Sequence, residues 1–171
     1  MGYPGSSGGI NYLVGFKEVI RKLNVEINQL PEKSIKGMIK AAALIRYETE
    51  HTPPKTPVDL GNLRASWFVV TAKSNPVGSS PTFVGKDASQ FGMDHGKAIT
   101  EQQGIARVQS AKGSEVLIMG YSANYAGFVH EMIGDIEWTR EDSGAKWLEE
   151  QIKMNEDRIL ELIATEVKIK K

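Results

Sequence analysis

Hydrophobic residues recur at three- and four-residue steps in three parts of the chain, which is the spacing of amphipathic helices. The first part predicts a helix over residues 12–30. The second predicts a helix that begins at Pro31 and ends at Thr52, because the residue before a proline avoids the helical region. The third predicts a last helix over residues 144–167, with a polar break at Asn155.

Residues 64–71 predict a strand, in which successive side chains point to opposite faces. Both faces carry bulky residues, so this strand is expected to be covered on both sides. Residues 105–109 and 115–121 predict a hairpin that turns near Gly113. A short helical turn is predicted over residues 123–132.

The remaining segments define the expected organisation. Residues 72–104 are rich in Gly, Ser, Pro and Lys, so residues 72–114 are expected to form a long loop or extended hairpin. Residues 1–9 predict a flexible N-terminal arm, either disordered or ordered against a neighbouring subunit. Residues 10–171 are expected to form a single α+β domain, in which long amphipathic helices pack on a small antiparallel sheet.

Composition narrows the possible functions. Lys+Arg and Asp+Glu each number 21, so the net charge is zero, and a dedicated DNA-binding protein would usually carry a basic excess. A net charge near zero also does little to oppose self-association. The chain contains no cysteine, which removes disulfides, thiolate catalysis and zinc–thiolate sites. No apolar run is long enough to span a membrane, and residues 1–9 lack the features of a secretion signal.

The sequence offers little that would build an active site. The three histidines, His51, His95 and His130, lack the spacing of a helical metal site, and no phosphate-binding loop or nucleophile elbow is present. His130 and Glu131 resemble an acid/base pair. Neighbours in a helix point about 100° apart, however, so these two are not expected to share a proton. We therefore expect a protein that is not an enzyme, without catalytic, metal or cofactor-binding residues. An enzyme with a site near His130 and Glu131 is the least favoured alternative.

The most specific stretch is the junction over residues 57–67. Its turn chemistry alone is compatible with an ordinary helix–turn–strand corner. It also resembles the "P-V-x-T-G-x-L-R-x-S" segment of the tailed-bacteriophage neck and minor tail-component family, the lambdoid-type head–tail joining and tail-completion proteins. The matching positions are Pro57, Val58, Gly61, Leu63, Arg64 and Ser66, followed by Trp67. Leu60 departs from the pattern, because it stands where threonine is more usual.

Two further segments carry the resemblance, which covers roughly residues 30–168. Residues 40–45 are similar to the alanine-rich helix upstream of the family signature. Residues 124–132 resemble the downstream "Y-A-x-x-V-E-x-G" segment at Tyr125, Ala126, Val129 and the acidic Glu131. The usual glycine–threonine after the acid is not kept, and residues 145–148 replace a proline-phenylalanine-leucine lead into the last helix.

The resemblance implies a structural protein of the virion, made in the host cytoplasm and placed in the neck or tail region. Such a protein would form a homo-oligomeric ring, of six or twelve subunits, that joins head to tail or completes the tail. Its partners would be other neck, connector and tail proteins, with non-specific contact to packaged DNA. Catalysis, cofactors and membranes have no part in this function.

Specific roles follow for the signature residues. Pro57, Gly61, Leu63, Arg64, Ser66 and Trp67 are expected to form a structural corner, with Leu60, Leu63 and Trp67 anchored in the core. Arg64 is expected to pair with Glu131 or another acid, within one subunit or across two. The candidate subunit interface comprises Tyr125, Phe128, His130 and Glu131, although a core position for Tyr125 and Phe128 is an alternative.

The basic residues of the 72–114 segment are candidates for a DNA-facing surface. They are Lys73, Lys86, Lys97, Arg107 and Lys112, and a plain solvated loop explains them equally well. The alternative function is therefore a nucleic-acid-binding module that uses this segment and the basic C-terminus, Lys168, Lys170 and Lys171. The same lysines would also complement the negative end of the last helix.

Overall fold

The computed structural model describes residues 9–75, 81–113, 115–134 and 136–168, with side chains from residue 30 onward. This part of the chain forms an α+β fold of six helices and a two-stranded antiparallel sheet. The helices are α1 (Gly9–His51), α2 (Asn62–Ala65), α3 (Ala88–Ser110), α4 (Ala126–His130), α5 (Trp147–Met154) and α6 (Glu156–Val167); the strands are β1 (Trp67–Thr71) and β2 (Leu117–Tyr121). Apart from Gly9, which begins α1, the predicted N-terminal arm lies outside the described residues.

A single helix, α1, replaces the two helices predicted before residue 52, so that prediction is wrong. Pro31 lies inside α1. A proline removes one backbone hydrogen bond, but the residues on either side remain able to stay helical. No turn-forming glycine or second proline accompanies Pro31, and the apolar repeat continues past it. Over its 43 residues α1 is ~64 Å long.

The C-terminal half of α1 packs closely against α6. A Cβ atom placed on Gly37 would lie 2.7 Å from the Cα atom of Ile163, so only glycine allows the two backbones to approach this far. Beside this contact Glu166 forms ion pairs with Lys36, at 3.4 Å, and with Lys40. Arg158 contacts Glu48 at the other end of α6, so the two helices run antiparallel.

The predicted last helix is two helices that meet at the predicted polar break. Asn155 separates α5 from α6, and its Nδ2 donates 2.9 Å to the carbonyl of Gln151. The helix begins at Trp147 rather than 144, because Lys146 has φ of +58° and cannot continue a helix. Gln151 is fully buried and donates 2.7 Å to the carbonyl of Thr52, which attaches α5 to the end of α1.

The sheet is covered on both faces, as the alternation predicted. β1 and β2 pair from Trp67 opposite Tyr121 to Thr71 opposite Leu117. On one face Trp67 and Val69 pack with Ala42 and Ile45 of α1. On the other face Phe68, Val70 and Ile118 pack against Ile99 of α3. The fold therefore has three layers, with the sheet between α1 and α3.

A 23-residue helix, α3, occupies most of the segment expected to be a long loop, so the prediction for 72–114 is wrong. The expected hairpin is wrong as well, because residues 105–109 are helical and β2 pairs with β1. The loop was predicted partly from three glycines, Gly92, Gly96 and Gly104, which all lie inside α3. Each has open space around its Cβ position. A glycine inside a helix costs about 1 kcal/mol, and the burial of His95, Ile99 and Ala106 on the same helix offsets this cost.

Candidate functional site

An open apolar cleft of ≈ 500 Å³ lies beside the signature corner, and we call it the corner cleft. Four segments contribute its walls: the corner itself, the start of α3, the region of α4, and the connection after α4. The lining residues are Pro57, Val58, Asp59, Leu60, Gly61, Asn62, Leu63, Asp87, Phe91, Tyr125, Val129, Ile136, Glu137, Trp138 and Thr139. Three of these side chains are acidic and none is basic, so the cleft combines apolar walls with negative charge.

The signature sequence builds one wall of the cleft through its turn chemistry. Gly61 has φ of +88°, a left-handed conformation that favours glycine, and it immediately precedes α2. Asn62 is buried and forms two hydrogen bonds with Val84: its Nδ2 donates 3.0 Å to the carbonyl, and its Oδ1 accepts from the amide at 2.9 Å. Asn62 therefore holds the corner against the segment that leads into α3. We did not identify Asn62 from the sequence, although an asparagine directly after a turn glycine is a recognisable signal.

The corner residues divide between core and surface. Leu63 and Trp67 are buried, as predicted, whereas Leu60 is 63% exposed, so its predicted place in the core is wrong. Ser66 is buried, and its Oγ donates 2.8 Å to the carbonyl of Leu63. Because α2 takes residues 62–65, the strand begins at Trp67 instead of 64.

Tyr125 lies in the cleft wall and packs edge-on against Phe91, with ring centroids 6.0 Å apart. Burial raises the pKa of the Tyr125 hydroxyl, and the negative charge of Asp59 raises it further. The tyrosine is therefore a neutral hydrogen-bonding group that faces an acidic surface. Phe128, in the helix α4 that begins directly after Tyr125, is 73% exposed, so the alternative that placed it in the core is wrong.

His130 and Glu131 share a hydrogen bond, contrary to the sequence prediction. His130 Nδ1 lies 2.9 Å from Glu131 Oε1. The prediction failed because Glu131 is the residue at which α4 ends, and its non-helical backbone turns the side chain back towards His130. Lys146 also pairs with Glu131, and the hydrogen bonds from Lys146 and then His130 lower the pKa of this carboxyl. Neither His130 nor Glu131 lines the corner cleft.

Three arginines converge on the carboxylate of Glu50, a cluster that we did not predict from the sequence. Arg64 Nε lies 2.5 Å from Glu50 Oε2, Arg140 Nη1 lies 3.1 Å from the same oxygen, and Arg46 Nη1 lies 3.0 Å from Oε1. Arg46 Nη2 also donates 2.8 Å to the carbonyl of Arg64. The expected partner of Arg64 is thus another acid, Glu50, reached within one subunit, and Glu131 pairs elsewhere.

The cluster of three arginines around Glu50 joins three parts of the chain that are distant in sequence. Glu50 comes from the end of α1, Arg64 from the signature, and Arg140 from the connection between α4 and α5. The Glu50 side chain is only 9% exposed, whereas Arg64 is 42% exposed. Because buried charges are stable only when paired, this carboxylate holds the corner in place.

The neighbouring carboxyl, Glu48, makes stability depend on pH. The hydrogen bond from Thr52, 2.5 Å long, together with Arg158 lowers the pKa of Glu48 below its ordinary value of 4.5, and partial burial opposes this shift. A lowered folded-state pKa contributes stability above the unfolded value, and that contribution is lost as the pH falls through the folded value. Glu48→Gln is therefore expected to reduce stability at about pH 7, with the deficit shrinking below pH 4.5. Urea midpoints of both proteins across this range measure the effect, and a deficit that does not change with pH would contradict it.

The predicted basic residues do not form one surface. Lys97 lies on α3 and Lys86 precedes it, while Lys112 follows its end. Arg107 Nε donates 3.1 Å to the carbonyl of Ala72, which brings Lys73 to the same end of α3. Along α3 itself, Lys97 and Arg107 are balanced by Asp94 and Glu101. Lys170 and Lys171 lie outside the described residues.

Other kinds of site were sought in the described part of the chain. No group of three or more histidine, aspartate or glutamate side chains there could hold a metal ion. The helices described include none with an apolar stretch that would cross a membrane. No known family model matches the chain, and no curated protein or solved structure shows significant similarity to it.

Proposed function

We propose that this chain is a structural protein of a tailed-phage virion, which forms a homo-oligomeric ring in the neck and joins head to tail or completes the tail. The observation that carries the proposal is the corner cleft, because the residues of the signature resemblance build an open apolar surface there. Exposed apolar patches next to a shaped cleft are typical of protein–protein contacts. The acidic walls would select a partner with complementary basic groups.

The division of roles among the signature residues supports this proposal. Leu63, Ser66 and Trp67 are buried and hold the fold, whereas Leu60 exposes a large apolar side chain in the cleft wall. Phe128 exposes another on α4, the helix that brings Val129 to the cleft. Burying such side chains would contribute about 1.5–3 kcal/mol each. A subunit with this surface and no net charge is suited to association with its own kind.

Replacing an exposed cleft residue tests whether this surface assembles the protein. Leu60→Asp is expected to shift purified protein from oligomers of six or twelve subunits towards monomers, because it places a charge in the contact. Val108→Asp is the matched control, since Val108 is similarly exposed but lies on α3 outside the cleft. Native mass spectrometry measures both variants, and equal subunit numbers in the two would count against the cleft as the assembly surface.

Nucleic-acid binding is the alternative proposal, and it rests on Lys73, Arg107 and Lys112 at one end of α3. This function predicts that the protein binds duplex DNA, with an affinity that falls steeply as the salt concentration rises and as these three basic residues are replaced. The balanced charge along α3 gives it less support than the cleft gives to assembly. For this reason we place it second.

A further inference from the structure

We propose that Arg64, supported by Arg46 and Arg140, binds a phosphate group at the signature corner. We call these three arginines together with Glu50 the arginine site. The phosphate is either that of a small molecule or that of a nucleic-acid backbone, since both present the same oxygen atoms to the protein. This site does not depend on the proposed ring, because a single subunit carries all of it.

The arginine site holds more positive charge than its one acid neutralises. Three guanidinium groups contact the single carboxylate of Glu50, namely those of Arg46, Arg64 and Arg140. Three positive charges against one negative charge leave an excess of two. Glu48, on the same helix as Glu50, pairs with an arginine of α6 instead. Asp142 pairs with Lys55. An unbalanced positive charge at the surface attracts an anion.

Arg64 is the member of the site that keeps free hydrogen-bonding capacity. Its Nε atom is buried and lies 2.5 Å from Glu50 Oε2, while the side chain as a whole is 42% exposed. Its two Nη atoms form no hydrogen bond with any residue that the structure describes. The Nε contact therefore fixes the guanidinium and leaves the Nη groups for a ligand. Two such groups in one plane match two oxygens of a phosphate.

Arg46 and Arg140 contribute charge and hold the site in shape. Arg46 Nη2 donates 2.8 Å to the carbonyl of Arg64, which fixes the backbone that carries the binding side chain. Arg140 Nη1 donates 3.1 Å to the carbonyl of Thr56. Both side chains are less exposed than Arg64. Because these contacts exist before any ligand arrives, binding would order few further side chains.

The size of the charge excess favours a phosphate over a carboxylate. Both ligands offer two oxygens to an arginine. A phosphate monoester, however, carries about two negative charges, whereas a carboxylate carries one. A nucleic-acid backbone brings one charge with each successive phosphate. Either source of phosphate can thus offset the whole excess at the arginine site, which one carboxylate cannot do.

Calorimetric titration at constant ionic strength tests the site with two probes, inorganic phosphate and a short DNA duplex. Arg64→Lys keeps the charge but removes the fork of donors, so the affinity for phosphate is expected to fall about tenfold or more. Arg107→Lys is the matched control, because Arg107 is also held through its Nε, at 3.1 Å from the carbonyl of Ala72, but lies on α3. Its affinity is expected to equal that of the unmodified protein.

The comparison of the two probes identifies the source of the phosphate. Tighter Arg64-dependent binding of the duplex assigns the site to a nucleic-acid backbone, and tighter binding of inorganic phosphate assigns it to a small molecule. If neither probe binds, or if Arg64→Lys binds as tightly as Arg107→Lys, the inference is wrong.

Arginine modification by phenylglyoxal supplies a second measurement on the unmodified sequence, so it does not depend on the folding of a variant. Peptide mass spectrometry gives the rate of modification at each arginine. The tighter-binding probe, at ten times its dissociation constant, is expected to slow modification of Arg64 about tenfold, because that fraction of the site is occupied. Arg107 is expected to react at an unchanged rate. An equal rate at Arg64 with and without either probe would overturn the inference.

Discussion

Replacing Glu50 by glutamine is expected to lower the free energy of unfolding by about 3 kcal/mol, because three guanidinium groups lose the single buried carboxylate that they share. The carboxylate lies within 2.5 Å of Arg64 and within 3.1 Å of Arg46 and Arg140. Glutamine keeps the size of the side chain, removes its charge and replaces one acceptor oxygen with an NH2 group, which cannot accept from an arginine. The loss therefore reports the role of the ionised, hydrogen-bonded carboxylate in holding the signature corner, and urea denaturation measures it.

The control for this effect is Glu101→Gln. Glu101 is 58% exposed and lies 3.9 Å from Lys97 on α3, which is the geometry of a weak surface pair. Its replacement is expected to change stability by no more than about 0.5 kcal/mol. Equal losses in the two variants would show that the cluster contributes nothing beyond an ordinary surface ion pair.

Gly37→Ala is expected to lower the free energy of unfolding by about 2 kcal/mol, because the added methyl group would overlap the backbone of α6. A Cβ atom there would lie 2.7 Å from the Cα atom of Ile163 and 3.3 Å from two carbonyl oxygens of α6. Those atoms cannot move aside as a flexible side chain would, so the two helices must separate. Thermal and urea denaturation measure the loss.

Gly92→Ala is the matched control, because this glycine also lies inside a helix but has nothing within 4 Å of its Cβ position. Alanine is the better helix former by up to about 1 kcal/mol, so this variant is expected to be as stable as the parent or more stable. If both variants gain stability, the close approach of α1 and α6 is not as the structure has it.

The sequence predicted those parts of the fold that depend on local periodicity. The α+β class, the strand covered on both faces and the break at Asn155 follow from side-chain spacing. The prediction of a loop over 72–114 was wrong because the glycine content of this segment is typical of loops. Its helical glycines are tolerated in α3 because they have open space around them, which only the tertiary structure shows. The prediction that a new helix begins at Pro31 was also wrong, because the residues on both sides of this proline belong to one helix, α1.

Long-range contacts account for what the sequence could not show at the site. Glu50 and Arg140 are 90 residues apart, and no spacing rule joins them. Likewise, the corner cleft takes its walls from segments near residues 60, 90, 125 and 137. The sequence was sufficient to identify the signature residues. Only the fold shows that Leu63 and Trp67 are buried in the core whereas Leu60 is exposed.

The central claim, that the chain is a ring component of a virion, is tested most directly by counting its copies in purified particles. Quantitative mass spectrometry with isotope-labelled peptides from this chain, referenced to a capsid protein of known copy number, gives that count. Six or twelve copies per particle is the predicted result. Particles that assemble with complete tails and contain none of the chain would contradict it.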